Sequence, residues 1–236
     1  MSNINYNDYS CLISYLKGLS DNKYLEFNQK IVNTPSKMLG IRTPILRNIA
    51  KDISKNDPIS FLNILEHNYY EESILEGFVI SRFIDMELFD KYFRLFIPKI
   101  NNWATCDMCI SSMKQMKNKE KYFSLAKELI KSKKEFEIRT GYIIMLSHFI
   151  DNAHVDIILD ILNSEESSSY YYVNMAKAWL ISVCFVKFKD KTLSFVKVAF
   201  FTQDSSFFIE KSILFKALSC NFSILLVYVG IGAVIF

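Results

Sequence analysis

The stretch EFEIRTGYIIMLSHF, Glu135–Phe149, sets apolar residues at Ile138, Tyr142, Ile143, Met145, Leu146 and Phe149. Steps of three and four gather such residues onto one face of an α-helix. The same spacing recurs along most of the chain, for example at Phe61, Ile64 and Leu65. Only 6 glycines and 4 prolines occur in 236 residues, leaving few of the turns and bulges that a sheet of short strands requires. With 50% hydrophobic residues the chain can bury a sizeable core, and its length suits one domain or one short repeat array. The fold class read from these features is all-α.

Breaks between the periodic segments are short and carry cap signals. Thr43-Pro44 reads as an N-cap followed by a first-turn proline, Asn56-Asp57-Pro58 reads the same way, and residues 164–169 form a polar loop. Helices are therefore expected near 6–19, 23–33, 44–54, 58–67, 71–84, 87–97, 103–116, 119–131, 135–149, 153–163, 170–186, 189–201 and 206–228. Helix pairs return at intervals of roughly 35 to 40 residues, near the length of HEAT-type helical hairpins. Glu72, Trp103, Arg139 and Trp179 fall in the earlier part of the first helix of successive pairs, separated by 31, 36 and 40 residues. Hairpins that bury their apolar faces only against neighbours stack into a curved solenoid, an α-α superhelix whose concave face suits a long or curved ligand. On this reading residues 1–218 form a single HEAT-like repeat domain and 219–236 an atypical tail.

Net charge is only +3, but it is unevenly spread: eight lysines and two glutamates lie between Ser111 and Lys134. That excess points to a local basic patch rather than a uniformly basic surface. Five cysteines, Cys11, Cys106, Cys109, Cys184 and Cys220, are an odd number, and the polar N-terminal residues lack a signal-peptide core. A reducing, cytoplasmic setting is the expectation. After Lys216 no charged residue appears, and 222–236 is almost wholly apolar. Such a tail reads as a buried terminal helix, a membrane anchor or an altered reading frame; Asn221, Ser223, Gly230 and Gly232 weigh against the anchor.

Trp103 and Asp107 stand at i and i+4, which places an indole and a carboxylate on one side of a helix start. On spacing alone, a core tryptophan beside a surface aspartate is the commoner arrangement, and Trp179 also reads by default as packing. Arg139 lies one repeat after Trp103 and could hold a phosphate bidentately, or simply pair with Glu135 or Glu137. Lysines from Lys114 and Lys117 through Lys134 could track a nucleic-acid backbone without reading sequence, although a solvated helix face is the more ordinary explanation. Cys106 and Cys109 form a C-x-x-C, but no second Cys or His pair accompanies it, since His67, His148 and His154 are scattered. No metal site is expected. Glycine-rich phosphate loops, a G-x-S-x-G elbow and H-E-x-x-H are absent from the sequence, which removes the usual signatures of nucleotide, serine-hydrolase and zinc-protease chemistry.

GIRTPILR (40–47), the acidic helix start Glu71-Glu72 with Gly77, WATCD (103–107), EIR (137–139) and AKAW (176–179) follow one another in the order and spacing of the AlkD-like DNA alkylation-repair proteins. The resemblance covers roughly residues 20 to 215. It implies a HEAT-like solenoid that cradles duplex DNA on its concave face and hydrolyses the N-glycosidic bond of cationic N3- or N7-alkylpurines, with no metal or other cofactor. Carried over by position, Asp107 is the catalytic carboxylate, Trp103 and Trp179 pack against the lesion nucleotide's sugar and backbone, and Arg139 grips a phosphate; Arg42 and, from the basic stretch, Lys114 and Lys117 are the further DNA contacts expected. The partner expected is alkylated duplex DNA and the state a monomer. Ser182 departs from the pattern, standing where active members carry a second basic residue, and the last helix begins in family style at Phe208-Ile-Glu-Lys211 before running into the apolar tail. A non-catalytic relative that binds DNA structures is the alternative, and a protein-interaction scaffold a third.

Overall fold

Five short polar side chains start five helices by accepting backbone N–H groups that the first helical turn leaves without partners. Asp8 caps α1 (Tyr9–Gly18), Asp21 caps α2 (Asn22–Ile31), Asp57 caps α4 (Pro58–Ile64), Asp85 caps α6 (Met86–Phe96) and Asn102 caps α7 (Trp103–Ser112). The remaining helices are α3 (Thr43–Lys55), α5 (Tyr70–Ile80), α8 (Glu120–Leu129), α9 (Glu135–His148), α10 (Val155–Ser164), α11 (Tyr171–Lys187) and α12 (Lys189–Phe201), with 3-10 turns at Ile97–Lys99 and Lys114–Met116. This is a computed structural model, and it describes residues 4–164 and 168–201. Among those residues the fold is all-helical, with one isolated β-bridge between Lys37 and Tyr69 and no strand.

Twelve of the expected helices are present with ends shifted by a few residues; the thirteenth, at 206–228, and the apolar tail lie outside the described residues. The reading of Thr43 as an N-cap is corrected. Arg42 occupies that position without a side-chain bond, Thr43 is already helical, and its hydroxyl turns to the Met108 sulfur at 3.7 Å. The expected helix at 71–84 ends at Ile80, where the Gln115 amide takes up the carbonyls of Ser81 and Phe83. The one expected at 103–116 stops at Ser112, after which the chain tightens into a 3-10 turn.

The helices fall into two compact units, one ending at Gln115 and the other beginning at Met116. In the first, contacts rise together along α3, α5 and α7. Glu71 at the start of α5 meets the residues before α3, and Arg47 in α3 lies over Phe78 near the end of α5, with its guanidinium 4.2 Å from the ring centroid. Thr43 meets Met108, and four residues later Arg47 donates to Ser112 at 3.0 Å. These three helices therefore run parallel. Gly77 is what lets α5 and α7 close: a Cβ there would stand 2.3 Å from the Cys109 sulfur.

In the second unit, α9 and α11 are parallel by the same test. Glu135 and Arg139 both meet Tyr172, and Tyr142 meets Lys177. Helix α8 packs against α9 at Gly141, where a Cβ would lie 2.7 Å from the Ala126 carbonyl oxygen. Phe123, Phe149 and His154 pack ring against ring, tilted or edge to face, beside this pair. No described helix is long and apolar enough to cross a membrane.

Candidate active site

Helix α7 begins at Trp103, and its first two turns are buried. Asn102 accepts the Thr105 N–H at 2.8 Å, which fixes where the helix starts and so the register of everything after it. Trp103 is 8% exposed, and its indole N–H donates to the carbonyl of Ile31 at 3.2 Å. Ile31 is the last residue of α2, so the indole fills one of the carbonyls that a helix C-terminus leaves open. With its only donor spent, Trp103 can offer a ligand ring faces and edges but no hydrogen bond. One turn on, Asp107 is buried to 7% exposure on the same side of the helix.

Arg139 and Trp179 belong to the second unit. Arg139, 4% exposed, donates to the Tyr172 carbonyl, while Glu135 one turn earlier accepts the Tyr172 N–H at 2.9 Å. The two side chains thus hold both ends of one residue of α11. Glu137, the other acid offered as a partner for Arg139, is bound instead to Lys134 and Ser132, which hold its carboxyl below the usual range. Trp179 is half-buried in the middle of α11 between the buried Ala178 and Leu180. Ser182 gives its hydroxyl to the Ala178 carbonyl at 2.9 Å.

A family model described as DNA alkylation repair enzyme matches residues 12–213. The chain belongs to the DNA alkylation repair enzyme family. No curated protein and no solved structure matches it.

The remaining residues expected to meet DNA in this repair-family chain are superficial. Arg42 is exposed, paired with Asp21 at 2.8 Å and lying over the Tyr24 ring. Lys114 is exposed at the end of the first unit; Lys117 is exposed at the start of the second, as are Lys121, Lys131, Lys133 and Lys134. Lys134 is bound to Glu137 at 2.8 Å.

Several organising residues had been assigned no structural role from the sequence. Glu71 is fully buried and accepts the N–H groups of Leu39, Gly40 and Ile41 at 3.0, 2.8 and 3.3 Å; burial nonetheless pushes its carboxyl above the usual range. Gly40, at φ +79, permits this tight turn. Glu72 collects the N–H groups of Glu66, His67 and Tyr69. Glu76 pairs with Lys99 at 2.6 Å, and its other oxygen lies 3.6 Å from His67 Nδ1. Lys177, 3% exposed, extends its ammonium over the Tyr142 ring, 5.7 Å from the centroid. Of these, Glu71-Glu72 was visible as an acidic helix start, and Gly40 and Lys177 lay within the GIRTPILR and AKAW motifs; Glu76 and Lys99 carried no local signal. Cys106 and Cys109 are buried with no disulfide among the described residues, and burial pushes the Cys109 thiol far up, so a thiolate is disfavoured there. No three of His, Cys, Asp and Glu gather as a metal site among the described residues.

Proposed function

We propose that this chain is a DNA glycosylase that releases cationic N3- and N7-alkylated purines from duplex DNA, its helical hairpins stacking as a HEAT-like solenoid with the DNA on the concave face. One observation carries the reading: in a member of the alkylation repair family, Trp103 and Asp107 are held one turn apart in a fixed register at the start of α7. An alkylated purine already bears positive charge and needs no general acid to leave. As the glycosidic bond lengthens, that charge passes to the deoxyribose. The Asp107 carboxylate, in surroundings from which water is largely excluded, stabilises the sugar cation and orients the attacking water. The Trp103 ring, its N–H already committed to Ile31, presents a π face, which suits a cationic sugar or base. Trp179 packs against the lesion nucleotide's backbone, Arg139 grips a phosphate, and Arg42, Lys114 and Lys117 add sequence-independent contacts. Loss of the cationic base leaves an abasic sugar, and the step requires no cofactor.

Ser182 favours a second reading, a relative that binds DNA structures without excising a base, because its hydroxyl is turned back to its own helix where active members carry a cation. Incubating the protein with methylated duplex DNA separates the two. The glycosylase reading predicts release of 7-methylguanine or 3-methyladenine, while the binder gives salt-sensitive binding and no free base. Failure to bind DNA at low salt removes both.

A further inference from the structure

We propose that Asn102 is a positioning residue for the Trp103–Asp107 pair, acting through a hydrogen-bonded chain that ties the start of α7 to the segment leaving α2; this rests on the reading of Asp107 as the catalytic carboxylate. Among the five capping side chains, Asn102 differs in two ways. The others are aspartates, three of them exposed and one half-exposed, and as carboxylates they can only accept. Asn102 is buried and neutral, and it donates as well as accepts.

A helix cap needs only the side-chain oxygen. Asn102 supplies that oxygen to the Thr105 N–H, and its amide nitrogen donates to Thr105 Oγ1 at 3.0 Å and to Asn101 Oδ1 at 2.9 Å. Asn101 Oδ1 also accepts from the Thr34 hydroxyl at 3.4 Å, and Thr34 in turn accepts the Ser36 N–H at 3.3 Å. Three residues before Thr34, the Ile31 carbonyl takes the Trp103 indole N–H. The indole is thus pinned twice to the segment 31–36: directly through its ring, and through the helix start by way of Asn102 and Asn101. Trp103 opens the helix and Asp107 follows one turn later, so any slip of the helix start moves both reacting groups together. An aspartate at position 102 would keep the cap oxygen but could not donate, breaking the chain while leaving the cap.

The test uses full-length protein and three variants. Asn102→Asp keeps the cap and breaks the chain; Thr34→Val removes its far link; Asp85→Ala removes an ordinary cap from α6 and serves as the purely structural comparison. On methylated duplex DNA, Asn102→Asp is expected to lower kcat by about tenfold or more with KM changed less than about twofold, Thr34→Val by about threefold in the same sense, and Asp85→Ala to lower Tm with kcat unchanged. A second readout is independent of chemistry. In a Trp179→Phe background Trp103 is the sole tryptophan, and its emission under tryptophan-selective excitation is expected to move to longer wavelength in Asn102→Asp and stay fixed in Asp85→Ala. Unmoved emission with wild-type kcat in Asn102→Asp, or an equal loss of kcat in Asp85→Ala, overturns the proposal. Should the wild type release no base while the emission still moves, the positioning chain stands and the glycosylase reading falls.

Discussion

The buried charges of the two units have opposite signs. Among the buried Asp, Glu, Lys and Arg side chains of the described residues, the first unit holds the acids Glu71, Glu72, Glu76 and Asp107 and the second the bases Arg139 and Lys177. Burying an ion is costly unless hydrogen bonds or an opposite charge replace its water. The first unit meets that cost largely with backbone N–H groups: Glu71 and Glu72 each collect three from loops that precede helices. In the second, Glu135 and Arg139 clasp Tyr172 from both sides, and Lys177 lies over an aromatic face. Parallel packing of alternate helices is common to both units, so it does not depend on the sign of the polar clamp. What differs is the sign: buried acids in the first unit and buried bases in the second, of which the proposed function uses Asp107 and Arg139.

Perturbing the clamps tests this contrast. The largest effect is expected from Glu71→Ala, which strands three buried N–H donors and should cost about 3–5 kcal/mol in chemical denaturation. A cost below about 1 kcal/mol would mean the loop finds other partners, and the account of the first unit would fail. Next come Gly77→Ala and Gly141→Ala, one in each unit, where an added Cβ meets the Cys109 side chain or the Ala126 carbonyl. Each should cost about 1–3 kcal/mol. A negligible cost in either would show that close helix approach is not shared.

The histidines give the two units opposite pH dependence. Burial and the nearby Lys99 hold His67 down to about 4, so the unfolded chain takes up its proton first and stability is lost as pH falls from about 6.5 towards 4. His154 is opposed by burial but raised on balance by its hydrogen bonds to Asp151 and Glu120. Its contribution is complete below the ordinary histidine value and is lost as pH rises through the raised one. His67→Gln should flatten the acid limb of a Tm-against-pH curve and His154→Gln the limb above it; a slope unchanged in either variant removes that histidine from the account. The smallest effect belongs to Lys134→Ala, an exposed pair with Glu137 worth about 0.3–0.5 kcal/mol, and a loss above about 1 kcal/mol would contradict its assignment to the surface.

Helices were legible in the sequence where burial writes steps of three and four into residues such as Tyr142, Met145 and Phe149. Their ends were less so. Whether Thr43 caps α3 depends on Met108, 65 residues away, and the end of α5 depends on the Gln115 amide, more than thirty residues further along the chain. The same limit applied to the candidate site. Trp103 and Asp107 were visible as an i, i+4 pair, but the indole's commitment to Ile31 joins residues 72 apart and leaves no local trace. Arg139 was read as gripping a phosphate or pairing with Glu135 or Glu137; its bond to the Tyr172 carbonyl joins residues 33 apart and leaves no local trace either.

As the proposed catalytic carboxylate, Asp107 acts on the bond-breaking step and not on DNA binding. Single-turnover release of 7-methylguanine from a duplex carrying one lesion, with enzyme saturating, measures that step alone. For Asp107→Asn the expected rate is lower by about a hundredfold or more, with affinity for the same duplex, measured at fixed salt, unchanged within about threefold. A variant that releases base at the wild-type rate, or one whose loss of release is matched by loss of binding, would contradict it.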